Sequence, residues 1–239
     1  MERAEKLYSF SSVTEVGSRR KTKEQRQLFD FFLPKLAKNA TVVEIGSGRG
    51  EFANEVRARG LRYIGVEPSS QLCAKLSMQG FSVIKDVVPS LPIKDGAVDL
   101  IHSYDLVEHL SDYREVMRFF AESHRVLKRG GFLSVIAPNY ETIKQLFFQY
   151  EYQHSFVTTK NRVENMLEDG GFEISSSRCF LMSLSPRLKS LDRVFAHIAL
   201  PILLNSLSQA VLRLVISEKF TFRLNKNLFD HVAVLGRKQ

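Results

Sequence analysis

Val42-Val43-Glu44-Ile45-Gly46-Ser47-Gly48-Arg49-Gly50-Glu51-Phe52 decides the fold, because it runs an apolar strand into a helix through three glycines spaced by two. Glycine takes the tight turn without steric cost and lets backbone approach a ligand where a Cβ would clash. After this stretch, short β-branched runs alternate with helical stretches that close on glycine, which is the pattern of βαβ units and a parallel sheet. The pattern predicts a doubly wound, Rossmann-like α/β domain with helices on both faces of the sheet.

Strands are expected at 41–45, 62–66, 81–85, 98–103, 132–137, 172–179 and 228–236. Helices are expected at 51–59, closed by Gly60, and from Ser69 or Ser70 to Gln79. A longer one runs from Ser111 or Asp112 to Gly130-Gly131 and buries Val116, Phe119, Phe120 and Leu127; another runs from Thr158 or Thr159 to Glu168. Ahead of the sheet, residues 20–37 read as a helix presenting Leu28, Phe31, Phe32 and Leu36. The aromatic-rich stretch 140–157 receives no element. The organisation is therefore an N-terminal helical cap at 1–40, a main domain at 41–180 and 228–239, and a helical insertion at 181–227, too long for a plain loop.

With 239 residues, 44% of them apolar, the chain can bury an ordinary core, and disorder is excluded. Cys73 and Cys179 cannot build a disulfide framework, which points to a reducing compartment. Glu2, Arg3, Glu5 and Lys6 break the apolar run that a secretory signal needs, so a cytoplasmic location is expected, with peripheral membrane contact left open.

The net charge of +8 divides unevenly: +4 over residues 1–40, −3 over 41–175 and +7 over 176–239. A mildly acidic middle between basic ends fits a small-molecule pocket beside a surface drawn to anionic partners, or a surface kept soluble by surplus lysine and arginine. Residues 194–212 hold no Asp, Glu, Lys or Arg, and Arg187, Lys189, Arg193, Arg213, Lys219, Arg223 and Lys226 bracket them. A lid, a dimer contact or an element resting on an anionic membrane would each look like this. Pro201, Asn205 and Gln209 argue against a spanning helix.

Two acids add to the glycine turn. Glu67 ends the second strand, where a carboxylate can accept both hydroxyls of an adenosine ribose. Asp86 ends the third, within reach of an adenine amino group. Glu44 either faces the ligand or orients the turn. A dinucleotide dehydrogenase would carry glycine at position 51, where this chain has Glu51. A carboxylate there occupies the positive helix end that a pyrophosphate requires.

The set Glu44-Ile45-Gly46-Ser47-Gly48-Arg49-Gly50, Ile64-Gly65-Val66-Glu67 and Leu91-Pro92-Ile93 through Val98-Asp99-Leu100-Ile101 continues in Asp105-Leu106-Val107-Glu108-His109-Leu110. Leu127-Lys128-Arg129-Gly130-Gly131 and Gly171-Phe172-Glu173 complete it. Together these segments resemble class I S-adenosylmethionine-dependent methyltransferases, in particular the small-molecule branch akin to the ubiquinone- and menaquinone-biosynthesis enzymes. The resemblance covers about residues 30–180 and 228–238. It implies a seven-stranded sheet of order 3-2-1-4-5-7-6 with the final strand antiparallel.

The same resemblance implies S-adenosylmethionine as cofactor and S-adenosylhomocysteine as product. It places Glu44, Gly46, Ser47, Gly48 and Gly50 near the methionine part, Glu67 on the ribose, and Pro68, Asp86 and Val87 around the adenine. Ser103 and Tyr104 complete the cofactor set. One departure stands out: Asp86-Val87-Val88-Pro89-Ser90 replaces the small residue and further acid that often follow the third strand. The implied acceptor is a small, lipid-linked or glycosyl molecule, methylated on oxygen ahead of nitrogen or carbon.

Hydroxyl methylation profits from a base with a near-neutral pKa, which points to histidine. His109 and His154 are the candidates, His109 having the alternative of capping the next helix. His102 lies within a strand and reads as a core residue. Tyr104, Asp105 and Tyr140 border the acceptor pocket. Asp105, Glu108 and His109 could hold a divalent ion, but no further ligand cluster is visible, so no metal site is assigned. RNA methylation, favoured by charge but without an appended recognition module, and a cofactor-binding pseudo-enzyme scaffold are the alternatives. The chain is expected as a monomer or homodimer.

Overall fold

The computed structural model describes residues 22, 25–30, 32–144, 147–148, 151–181 and 230–239. Its strands are β1 (Thr41–Ile45), β2 (Arg62–Val66), β3 (Ser82–Ile84), β4 (Val98–Tyr104), β5 (Leu127–Pro138), β6 (Phe172–Leu181) and β7 (Asp230–Lys238). They form one sheet of order β3-β2-β1-β4-β5-β7-β6. The β1–β5 pairings are parallel, and β7 runs antiparallel to both β5 and β6. The order and the reversed last strand are those expected.

Helices α1 (Glu51–Ala58), α2 (Ser70–Met78), α3 (Tyr113–Val126), α4 (Tyr140–Ile143) and α5 (Lys160–Asp169) connect the strands, with one 3₁₀ turn at Val107–His109. Central strands alternate their side chains between two cores. Val43, Ile45, Ile101, Leu133 and Val135 meet Phe119, Phe120, Val163 and Leu167 on one side. Val42, Leu100, Ile136 and Leu235 meet Phe52, Val56 and Leu76 on the other. Burial on both faces explains why consecutive residues are apolar at Val42-Val43 in β1 and Leu100-Ile101 in β4. Each fully buried phenylalanine contributes about 2–3 kcal/mol through removal of its ring from water.

Caps fall where the side chains allow them. Ser69 accepts from Leu72 N–H, Asp112 from Arg114 and Glu115 N–H, and Thr159 from Arg162 N–H.

Besides shifts of one or two residues at strand ends and the short α4 in the stretch left without an element, two boundaries differ more widely from expectation. α3 ends at Val126, before the two glycines, because Leu127 turns extended (φ −71°, ψ 141°) and pairs with Val98. Lys128 holds that register, its Nζ donating to Asp99 Oδ1 and Oδ2 at 2.9 and 2.8 Å. The N-terminal helix is helical at 25–30 and gives way to a turn at Phe32-Leu33, whose N–H groups both donate to Leu28 O. Pro34 accounts for the stop, since proline drives its predecessor out of the helical region. Leu28, Phe32 and Leu33 are buried and Leu36 packs beside them. Phe31, the rest of the 1–40 cap up to residue 21, and all of the expected insertion except Leu181 lie outside the described residues. No helix among the described residues is long and apolar enough to cross a membrane.

Candidate functional site

β1 and β4 pair with Ile45 beside Ser103, so the glycine loop after β1 and the chain after β4 leave the same edge of the sheet. Ligands of open α/β sheets bind at this carboxyl edge. Gly46, Gly48 and Gly50 all take positive φ (77°, 51° and 86°). At Gly46 and Gly48 an added Cβ would meet nothing within 4 Å, so the loop's backbone stands open on that side. The Gly46 N–H donates to Val66 O at 2.8 Å and ties the loop to β2.

Glu67 follows β2 and is fully buried. Its Oε2 accepts from the Gly48 N–H and its Oε1 from the Ser69 N–H, each at 3.0 Å. Burial pushes its carboxyl pKa up, and the two N–H groups oppose that shift. Two of its four acceptor sites remain after those bonds. Glu44 is buried behind the loop and accepts from the Tyr63 hydroxyl at 2.6 Å. Burial, and then the Glu44 charge, hold the Tyr63 phenol well above its ordinary pKa. Gly65 lies between: a Cβ there would sit 2.3 Å from Ser47 Oγ and 2.9 Å from Tyr63 Oη. Gly65 stands in the sequence only as part of a motif and Tyr63 without a role, because the Tyr63–Glu44 bond crosses between β2 and β1 and no local pattern joins them.

Asp86 is half-buried and turns back on its own chain, accepting from the Val87 N–H at 2.7 Å. Pro68 is half-buried and Val87 exposed, so this side offers an apolar rim. Ser103 is fully buried and donates to Ser134 O at 3.2 Å, which turns its hydroxyl into the sheet. His102 is a core residue, stacked on Phe52 with ring centroids 4.1 Å apart and its Nδ1 3.1 Å from Ser134 Oγ. Burial pushes its pKa down to about 3. Tyr104 stands between His102 and His231, and His231 Nε2 lies 3.2 Å from Asp105 Oδ1. His231 comes from β7, 126 residues away, and nothing in the sequence joins it to Asp105.

The other side of the edge gathers Glu108, His109 and His154. Glu108 and His109 lie on the 3₁₀ turn, whose Glu108 carbonyl accepts from the Ser155 and Phe156 N–H groups at 2.8 and 3.0 Å. That pinning brings in His154, and the two imidazoles meet edge to face at 5.0 Å. His154 Nδ1 sits 2.6 Å from Phe147 O, which requires that nitrogen to carry the proton and leaves the Nε2 lone pair free. Burial, and then the neighbouring His109, lower the His154 pKa. Glu108 is fully buried, and burial together with the Asp105 charge raises its pKa well above the carboxylate range. The structure thus brings both candidate histidines into one cluster, apart from the Glu67 side.

The residues fit an adenosyl cofactor lacking phosphate: an open glycine backbone, a buried carboxylate with spare acceptor sites, and Glu51 in the first turn of α1 where a pyrophosphate would sit. This sheet order and site define a class I methyltransferase fold. The family model described as "Methyltransferase domain" matches residues 18–177. The chain therefore belongs to the class I S-adenosylmethionine-dependent methyltransferase family.

Among relatives, an uncharacterized methyltransferase of Mycobacterium sp. (strain JLS) is 34% identical over 93 residues, covering 38% of this chain and 36% of that protein. The probable S-adenosylmethionine-dependent methyltransferase Rv3030 of Mycobacterium tuberculosis is 27% identical over 154 residues, covering 63% of this chain and 54% of its own length. The chain thus spans between about a third and a half of these relatives. Among solved structures, a SAM-dependent methyltransferase from Archaeoglobus fulgidus has the same fold, with a TM-score of 0.63 at 20% identity over 92% of this chain and 94% of its own.

Proposed function

We propose that this chain transfers the methyl group of S-adenosylmethionine to a hydroxyl of a small or lipid-linked molecule. The bound cofactor supplies a methyl group already activated by a sulfonium. What the protein adds is alignment and proton removal, and alignment carries most of the rate. In this reading Glu67 receives the ribose hydroxyls, Gly46, Ser47, Gly48 and Gly50 lie along the methionine part, and Glu44 steadies the loop through Tyr63. Pro68, Asp86 and Val87 border the adenine, and Ser103 and Tyr104 close the floor through their backbone.

The observation that carries the choice of oxygen is the pairing of His109 and His154 beside a buried carboxylate. Burial lowers the His154 pKa, which favours the neutral ring, and its Nε2 takes the hydroxyl proton. An amine acceptor, which is nucleophilic once neutral, needs no such pair. A lipid-linked acceptor suits the uncharged run 194–212 and the basic residues around it. Flotation with anionic vesicles at low salt tests that part, and a protein left at the bottom of the gradient speaks against it.

The direct experiment incubates the protein with methyl-labelled cofactor and fractionated cell extract, and identifies the labelled product by mass spectrometry. A methyl ether or ester supports the reading. A product methylated on nitrogen or carbon overturns it.

A further inference from the structure

The geometry points to a divalent transition-metal site formed by Glu108, His109 and His154. Neither oxygen of the Glu108 carboxylate finds a hydrogen-bond partner in any other described residue, although the side chain has no exposed surface. A buried carboxylate left in that state is costly, and native structures rarely keep one without an ion or a proton to satisfy it. His109 Nδ1 is likewise buried and unpartnered, while its Nε2 lies 4.0 Å from Glu108 Oε1. Glu108 brings two idle oxygens to this spot, and the His109 nitrogen that faces them is Nε2.

His154 is set up as a ligand. Its Nδ1 proton is held by Phe147 O at 2.6 Å, which fixes the tautomer and leaves Nε2, 3.8 Å from Glu151 Oε2, as the donor atom, the usual arrangement for metal-bound imidazole. One donor atom from each of Glu108, His109 and His154 lies within 4.8 Å of the others. Ligand atoms of a tetrahedral ion at about 2.0–2.1 Å stand about 3.3 Å apart, so the group closes on an ion by up to about 1.5 Å. The backbone bonds from Ser155 and Phe156 to Glu108 O already hold the two segments at this separation.

Two imidazoles and one carboxylate suit zinc, manganese, iron(II) or cobalt, and they leave coordination positions open for water or an acceptor oxygen. An ion there offsets the buried charge of Glu108 and lowers the pKa of a hydroxyl that it binds. That use rests on the hydroxyl-acceptor reading above, whereas binding of the ion does not. With an ion present, both histidines would act as its ligands, the metal would acidify the bound hydroxyl, and the proton would pass to water rather than to His154.

The test uses the full chain, stripped with a chelator, dialysed and titrated with Zn²⁺ or Mn²⁺ by calorimetry, and with Co²⁺ by visible absorption. Expected is one ion per chain, with affinity lowered at least about 10- to 100-fold in Glu108→Gln, His109→Ala and His154→Ala. S-adenosylmethionine affinity is measured in the same variants, and unchanged values show that the fold survives. Failure of the wild-type chain to take up any of these ions, or uptake undiminished in all three folded variants, overturns the site. Loss of methyl transfer on chelation and its return with the ion supports the use assigned to it. Ion binding accompanied by an N-methylated product supports the site and removes the hydroxyl reading, so the two proposals fail separately.

Discussion

The Gly48 N–H donates to Glu67 Oε2 at 3.0 Å, so the acid after β2 fixes the loop after β1. One carboxylate joins the two halves of the proposed cofactor cleft, and its other oxygen holds the Ser69 N–H at the start of α2.

Glu67→Gln separates these roles from mere shape. A glutamine offers one acceptor oxygen, so one of the two N–H groups is left facing an NH₂ donor, at a cost of about 1–3 kcal/mol. Cofactor affinity is expected to fall about 10- to 100-fold in a chain that still folds. Calorimetric titration with S-adenosylhomocysteine reads this directly; an unchanged Kd would take Glu67 out of the site.

Gly50 and Gly80 share a positive φ, 86° and 81°, but differ in their surroundings. A Cβ on Gly50 would lie 2.6 Å from Cδ2 of the fully buried Leu76, whereas at Gly80 it would meet nothing within 4 Å. Gly80→Ala therefore carries the backbone cost alone, about 1 kcal/mol, and Gly50→Ala adds overpacking for a total of about 2–4 kcal/mol. Urea unfolding of the two variants checks the ranking, and equal losses would contradict it.

His102 makes stability depend on pH with a definite sign. Its pKa falls from 6.5 to about 3 on burial, so between these values the unfolded chain binds a proton that the native chain does not. Stability from this residue is complete above about pH 6.5 and is lost as pH falls through that window, at up to about 1.4 kcal/mol per pH unit. Glu108, with its raised pKa, works in the opposite direction, so the comparison is made against His102→Asn. Between pH 6 and 4.5 the variant is expected to show the shallower slope in unfolding free energy; parallel slopes would count against a neutral buried imidazole.

The sheet was legible because β1, β2 and β4 carry apolar runs closed by glycine or an acid, and the cap residues Ser69, Asp112 and Thr159 stand where the helices begin. The α3 boundary was misread since Leu127 is buried in either conformation; what decides it is the long-range pairing with Val98 and the Lys128–Asp99 ion pair. Similarly, Leu28 and Phe32 are buried as expected, while the helix that carries Leu28 gives way to a turn at Phe32-Leu33 ahead of Pro34. In the candidate site, the meeting of Glu67 with the glycine loop follows from their places at the ends of adjacent strands. That His109 and His154 share one cluster was not, because the contact passes through backbone bonds between residue 108 and residues 155–156. Nor does any local pattern reveal that the Glu108 carboxylate has no hydrogen-bond partner among the described residues, which depends on everything packed around it.

The central claim is that the cleft between Gly46 and Glu67 binds an adenosyl sulfonium and not a dinucleotide. Isothermal titration of the purified chain with S-adenosylmethionine, S-adenosylhomocysteine and NADH addresses it. Saturable heat with the first two and none with NADH is the expected result. Silence with both adenosyl compounds alongside tight uptake of NADH would contradict the account.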